Sequence, residues 1–500
     1  MFILLLTLVG CGESANSQIV FEIDSLPTTL DPQLASTETE MLIIRNIYEG
    51  LMRKDSNGNI VTAAAESYTK KDNTYTFTLK ENLLWSDGTQ ITAHDFKFAF
   101  SRAVNPQTKS PFAEHLKCIN GASEILSGKG NPSGLAVMVI DDKNIAFSIN
   151  SDEQEFFELL CTPISMPCNE EFFVNAFGKY GRDAECVLSN GSFSLRSWNT
   201  QNKKITLRRS KNYEGDFKTT ISSLSLVTNN TDTVIKRLED DTIDGVFLSE
   251  YADLLGDLNY YSKQRISDTI WVLALNNELP VNIRQALLST VDANSLKQIK
   301  NMFYEYSNTL LPQNAEQDIL LNLTDITVKL DSQQAKEQFS DSVKKDLKGK
   351  IPNFTVYYYD NVHFKQVATT LASHWQNQLG AFVNIEPVAN ISNLKTIHTM
   401  SKYNISILPY SSEQPGAKNF YAQFAENGKN SINNKEFNSI FNQNINIENA
   451  GKLNKILTQD HTIKPLYFGS KIILLNSNIT NILYFDDYGK IDFTFAQKDD

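Results

Sequence analysis

The 500-residue chain is short of most features that would mark it for a common function. No apolar run reaches the twenty or so residues a membrane-spanning helix needs. Lys and Arg total 46 against 58 Asp and Glu, a net charge of −12, and no Lys/Arg-rich run occurs. That balance argues against nucleic acid as a partner. The patterns GxSxG, HExxH and GxxxxGK[ST] are absent. GKGNPSG (128–134) has the wrong spacing for a dinucleotide loop and no strand before it, so it reads as a turn. The six histidines are scattered, and His363 and His374 are too far apart for one helix face to unite them as ligands. An enzyme would have no chemistry to rest on here, and neither metal nor cofactor is expected.

Cysteine is sparse but placed suggestively. Four of the five, Cys118, Cys161, Cys168 and Cys186, fall within one short region. In an exported protein an even number permits two disulfides in any of three pairings. Cys161 and Cys168 enclose only TPISMP and would close most easily. The alternative is four buried thiols; a zinc site lacks both CxxC and a nearby histidine. The fifth, Cys11, ends the aliphatic run MFILLLTLVG and is followed by small polar residues. A first buried strand would give such a run, but no turn chemistry follows it. Leu-Val-Gly-Cys resembles the lipobox of bacterial lipoproteins, in which the apolar segment is removed and the cysteine carries lipid. Residues 1–18 are therefore expected to be signal and linker, with Cys11 as the lipidation site.

Hydrophobic residues make up 41% of the chain, enough for a sizeable core, and the length suggests two to four domains or lobes. TYTFTLK (74–80) alternates as a half-buried strand does, and WSDG (85–88) carries an Asp-Gly turn. Thr92 is a candidate N-cap for a helix with Phe96, Ala99 and Phe100 on one side. Residues 205–213, 354–360 and 381–388 read as strands, and 367–380 as a helix closed by Gly380.

Several colinear blocks carry a more specific signal. They are TLDPQ (29–33), IYEGLMRKDSNGNI (47–60), the long run 64–116 with WSDGTxxTAxDFxxAFxR, LSNGSFSLRSW (188–198), LNNELPVNIRQALLSTVD (275–292) and KPLYFGSKIILLNSNITNI. Together they resemble the oligopeptide-binding family, the solute-binding proteins of peptide ABC transporters. The resemblance runs from about residue 20 to the C-terminus and is weakest over roughly 295–350. It implies an α/β, two-lobed periplasmic-binding-protein-like fold of type II, with an extra domain inserted in the first lobe. Lobe I would comprise 19–48, 185–269 and 475–500, the inserted domain 49–184, and lobe II 270–474. Crossovers between lobes would act as a hinge.

The resemblance also implies a monomer outside the cytoplasm, in the periplasm or on the cell surface. Its partners would be short peptides, the permease and ATPase subunits of an ABC importer, and the membrane through N-terminal lipid. Peptides would bind extended, pairing main chain to main chain, with side chains in hydrated pockets. The family holds the peptide α-ammonium on an acidic residue. Anchoring Tyr403 and Phe420 on the family pattern puts Glu413 at that acid and Tyr410 at the preceding tryptophan; aligning on Pro415 alone would put Ser411 at the acid. A family glycine falls on Pro409, which has no N–H to give. An arginine that meets the peptide carboxylate in some members falls on Ile407. Ser36, Thr37 and Glu38 fall where the family pairs with peptide main chain, and Phe112 where it often has a tyrosine against the ligand. The same fold also binds nickel, haem, sugars or cell-wall peptides, and a surface chaperone or adhesin is a third reading. Glu413 favours a cationic ligand.

Overall fold

The computed structural model describes residues 17–228, 234–248, 261–315, 319, 330–412, 416–426, 428–460, 462–485 and 491–499. The chain divides into two compact units, 1–247 with 256–263 and 473–500, and 248–255 with 264–472. The strands Ser262–Leu275 and Ile463–Leu475 each carry the chain across that division.

The first unit holds a mixed sheet. Its strands run, side by side, Gly245–Leu248, Gln18–Glu22, Ser223–Val227, Lys204–Arg209 and Phe193–Asn199. Gln18–Glu22 is parallel to its two neighbours, and the outer pairs are antiparallel. The strand expected over 205–213 stops at Arg209. Beyond it the Asn212 amide turns back to the Trp85 and Ser86 carbonyls, at 3.3 and 3.1 Å, so the chain leaves the sheet. A helix over Glu38–Ile47 packs Met41, Leu42, Ile43, Ile44 and Ile47 inward. On the same helix Asn46 is buried and ties in the C-terminal segment, accepting from Phe493 N at 2.8 Å and donating to Ile491 O at 3.1 Å.

A second, four-stranded antiparallel sheet follows the order Ala65–Lys71, Thr74–Leu79, Asn144–Ser148, Val137–Asp141. Thr74–Leu79 alternates as its sequence predicts, turning Tyr75, Phe77 and Leu79 inward. Two helices cover that face, Ala93–Val104 and Glu153–Leu160. Phe147 meets Phe100 and Phe156 at ring distances of 5.1 and 5.4 Å. The first helix begins at the expected N-cap: Thr92 N donates to the Asp95 carboxylate at 2.8 Å. Burial pushes that carboxyl up to about 6, against the pull of the Thr92 bonds. Gly88, in the Asp-Gly turn, sits at φ +91°, a conformation open to glycine. Pro132–Gly134 is a tight turn capped by Asn131.

In the second unit the sheet order is Phe382–Val388, Asn353–Tyr359, Asn404–Ser411, Ser262–Leu275 and Ile463–Leu475. The first three strands are parallel and are linked by helices Val362–Leu379 and Ile391–Met400. This is the βαβ arrangement that alternating strand and helix signals imply. The longer helix starts five residues before the expected 367, capped by Asn361, and closes at Gly380 with φ +69°. Trp271 and Trp375 are fully buried. Trp271 lies 4.2 Å from the Phe364 ring, and Trp375 donates to Leu287 O at 2.8 Å.

The disulfides allowed by the sequence are not formed: Cys118, Cys161, Cys168 and Cys186 all stand as thiols. Separate surroundings hold them. Cys118 ends a short helical turn and donates to His115 O at 3.3 Å, whereas Cys168 lies against the Arg102 guanidinium at 3.4 Å. Burial pushes both of these thiols up to about 12.

Candidate functional site

The segment 36–38 is organised by Glu40. Thr37 caps the helix Glu38–Ile47, and the Glu40 carboxylate reaches back over the helix start. It accepts from Ser36 N at 2.9 Å, Thr37 N at 3.0 Å, Thr28 N at 2.9 Å, Thr28 Oγ1 at 2.7 Å and Thr29 N at 3.2 Å. Burial alone would raise the pKa of this acid, but these donors outweigh it and hold the pKa below the ordinary range. Ser36 and Thr37 are exposed, with both amides engaged inside the chain. Main-chain pairing with a ligand would have to use carbonyl oxygens there. Glu38 is half-buried in the first turn of the helix.

Phe112 caps a short helical turn, Ala113–Cys118, and is half-buried with its ring 6.1 Å from that of His115.

Residues 403–412 show a sharper division. In the strand Asn404–Ser411, Tyr410 is the cross-strand partner of Ile270, and Ser411 of Thr269. The period of two sends Leu408 and Tyr410 into the core of the second unit with Ile270 and Val272. Tyr410 is 8% exposed and packs edge-on to Phe424 at 5.1 Å; burial pushes its hydroxyl up to about 12. The structure thus gives Tyr410 the surroundings of a core aromatic rather than an open ligand wall. Ser411 points to the other side, where its hydroxyl meets Thr269 Oγ1 at 3.1 Å. Ile407 is fully buried.

The chain on either side of 413–415 is pinned by one side chain and its backbone. Asn314 Nδ2 donates to Ser412 O at 3.3 Å, and Gly416 N donates to Asn314 O at 3.2 Å. Ser412 N also donates to Asp268 O at 2.9 Å, and the Asp268 carboxylate pairs with Lys471 at 2.9 Å. Asn314, Asp268 and Lys471 were not among the sequence candidates; no local pattern could have found them, since they meet only through tertiary pairing. Glu413 and Cys11 themselves lie outside the described residues.

Residues 59–431 match the pattern of the bacterial extracellular solute-binding proteins, family 5. The chain belongs to this family. Among relatives of family 5, the periplasmic oligopeptide-binding protein OppA of Escherichia coli K12 is 29% identical over 291 residues. That match takes in 57% of this chain and 48% of the relative, so it spans about half of that protein's length. The oligopeptide-binding protein OppA of Bacillus subtilis 168 is 25% identical over 529 aligned positions, covering 97% of this chain and 95% of the relative. Both relatives carry the names of binding proteins rather than enzymes. The solved structure of Listeria monocytogenes OppA bound to peptide superposes with a TM-score of 0.78 at 22% identity, over 97% of this chain and 99% of that one. The fold is that of the two-lobed solute-binding proteins.

Seen in the structure, the motifs singled out in the sequence are largely internal braces. Asp31 of TLDPQ and Arg102 of AFxR form a buried bidentate pair, with contacts of 3.3 and 2.6 Å, and Gln33 accepts from the same guanidinium at 2.7 Å. Burial works against the Arg102 charge, but Asp31 outweighs it and raises the pKa. Gly181 lets its own segment pack against Asp31: at φ +74° a Cβ would lie 2.3 Å from Asp31 N. Glu49 of IYEGL is buried between Arg53 and the Tyr213 hydroxyl, and its own N–H donates to the Asn190 side chain at 2.9 Å.

Proposed function

We propose that this chain captures short peptides outside the cytoplasm and delivers them to an ABC importer. The observation that carries this reading is similarity along nearly the whole chain to proteins named for oligopeptide binding. Under it, Glu413 holds the peptide α-ammonium, with Asn314, Ser412 and Gly416 fixing the backbone on either side. A buried ammonium needs a charged partner, so a carboxylate at that place answers the chemistry. Ser36, Thr37, Glu38 and Phe112 are further candidate peptide contacts, and residues 49–184 act as an inserted domain. Cys11 carries lipid and keeps the protein beside its permease and ATPase partners, since several acyl chains hold firmly where one binds marginally.

Native mass spectrometry of the protein purified from its own organism tests the reading. A ladder of peptide masses is expected; a single discrete non-peptide mass would overturn it in favour of another solute. The Glu413 assignment is checked separately by titrating Glu413→Gln with free-amine and N-acetylated peptides. Breaking a buried ion pair costs about 3–5 kcal/mol, or roughly two to three powers of ten in affinity. Removing the charge from either side should give losses that overlap rather than add. Unchanged affinity in Glu413→Gln would move the assignment to Ser411 or Glu38.

A further inference from the structure

A pocket of about 490 Å³ opens in the first unit, lined by residues none of which has been assigned to peptide. Its volume falls in the range of small-molecule sites, roughly 300–1,000 Å³. Its walls are apolar and largely aromatic: Leu34, Phe98, Phe173 and Tyr180. Phe173 is held rigidly, edge-on to Phe98 at 5.5 Å and to Tyr180 at 5.4 Å, with the Arg102 guanidinium 4.0 Å from its ring centre. Such a wall is pre-formed, so a ligand need not order it on binding.

The charges lining the pocket decide what could enter. Asp31 is also a lining residue, but its carboxylate is taken by Arg102, both oxygens being bonded. No acid is left there for a cation. Arg182 also lines the pocket; it is exposed, and among the described residues its guanidinium has no carboxylate partner. The chain neighbours of the lining residues Thr108 and Gly178 are Lys109 and Lys179, both exposed. Arg182, Lys109 and Lys179 outnumber the one exposed acid among these chain neighbours, Asp183, whose Oδ1 already accepts from Glu185 N and Cys186 N, so the rim is net basic. Beside it Phe177 is 87% exposed and held at φ +48°, a conformation uncommon for a bulky residue, so apolar surface continues past the rim.

We propose that this pocket is a second ligand site, for a small amphipathic organic anion. Its flat apolar body would lie among Phe98, Phe173 and Tyr180, and its anionic head on Arg182. Aromatic walls supply area and the guanidinium supplies orientation, the division of labour expected of a small-molecule site. The inference does not depend on the peptide reading.

The test uses the full chain and two fluorescent probes of similar body: 8-anilinonaphthalene-1-sulfonate, which is anionic, and N-phenyl-1-naphthylamine, which is not. The sulfonate should bind with a component that saturating peptide does not displace. Arg182→Gln should weaken that component by about tenfold or more, as loss of a charge-assisted hydrogen bond does, and leave the neutral probe unchanged. Ser101→Trp, which fills the pocket from the helix Ala93–Val104, should abolish both signals at unchanged peptide affinity; Thr108→Trp does the same from the opposite segment should the first variant fold poorly. Equal sulfonate affinity in Arg182→Gln, survival of the signal in a folded filled variant, or displacement by peptide would each overturn the proposal.

Discussion

The two units hold their buried polar groups in different ways. In the first, most buried charges come in pairs: Asp31 with Arg102, Glu22 with Arg237, Glu49 and Asp492 with Arg53, and Asp244 with Lys498, while Glu40 and Asp95 are held by hydrogen-bond donors at helix starts. In the second, Asp268 with Lys471 is the main such pair among the described residues, and the core is apolar and aromatic. Its most deeply buried histidine is His363, 2% exposed and stacked on Tyr304 at 4.3 Å, with neither ring nitrogen hydrogen-bonded. The difference teaches which unit should tolerate substitution. A bidentate pair admits few substitutes, because either partner alone is a buried, uncompensated charge. An aliphatic or aromatic core tolerates volume-conserving exchange, so its sequence drifts while its shape persists.

The largest expected effect attacks a brace of the first unit. Arg102→Met leaves Asp31 buried without its partner and should cost about 3–5 kcal/mol of stability. Urea unfolding followed through Trp85 and Trp198 reads it, and a loss below about 1 kcal/mol would break the comparison. The double variant with Asp31→Leu should recover much of the loss, because nothing charged is then stranded.

Acid should strike the second unit through His363. Burial drives the pKa of its imidazole down to about 3. In the unfolded chain that group takes a proton below about 6.5, while the folded unit excludes it. Stability is therefore intact above pH 6.5 and lost as pH falls towards 3. The linkage amounts to about 2 kcal/mol by pH 5. His398, lowered to about 4 by burial, acts in the same direction. His363→Phe should keep the stacking and flatten the acid limb seen by Trp271 and Trp375. An unchanged limb would show that the histidine is not its source.

A smaller effect tests the helix start that the sequence placed too late. Asn361 Oδ1 accepts from Phe364 N at 2.8 Å, and its amide donates to the Tyr304 hydroxyl at 3.2 Å. Asn361→Ala should cost about 1–2 kcal/mol, measured as a drop in the urea midpoint of the second unit. The smallest concerns an exposed pair in the first unit, Lys70 with Glu153 at 3.0 Å. Lys70→Ala should leave the midpoint almost unchanged, with less effect still in high salt. A shift rivalling that of Arg102→Met would dissolve the distinction between buried and exposed pairs.

The sequence by itself determined what depends on near neighbours. The alternation of Thr74–Leu79, the Thr92 start of the next helix, the Asp-Gly turn and the Gly380 stop are all local devices, and each was legible. Linear motifs also revealed the family. Tertiary structure alone decided which distant groups meet. Asp31 and Arg102 lie 71 positions apart, and Asn314 and Ser412 lie 98 apart. The Thr37–Glu40 capping box is local, but nothing local announces that Glu40 will also gather the Thr28 and Thr29 amides, or that Tyr410 will face Ile270 and the core. Nor does cysteine spacing reveal that Cys168 will settle against Arg102. Periodicity fixes which face of an element is apolar; only the packed chain fixes what that face touches, because contact energies act between atoms brought together by the whole fold.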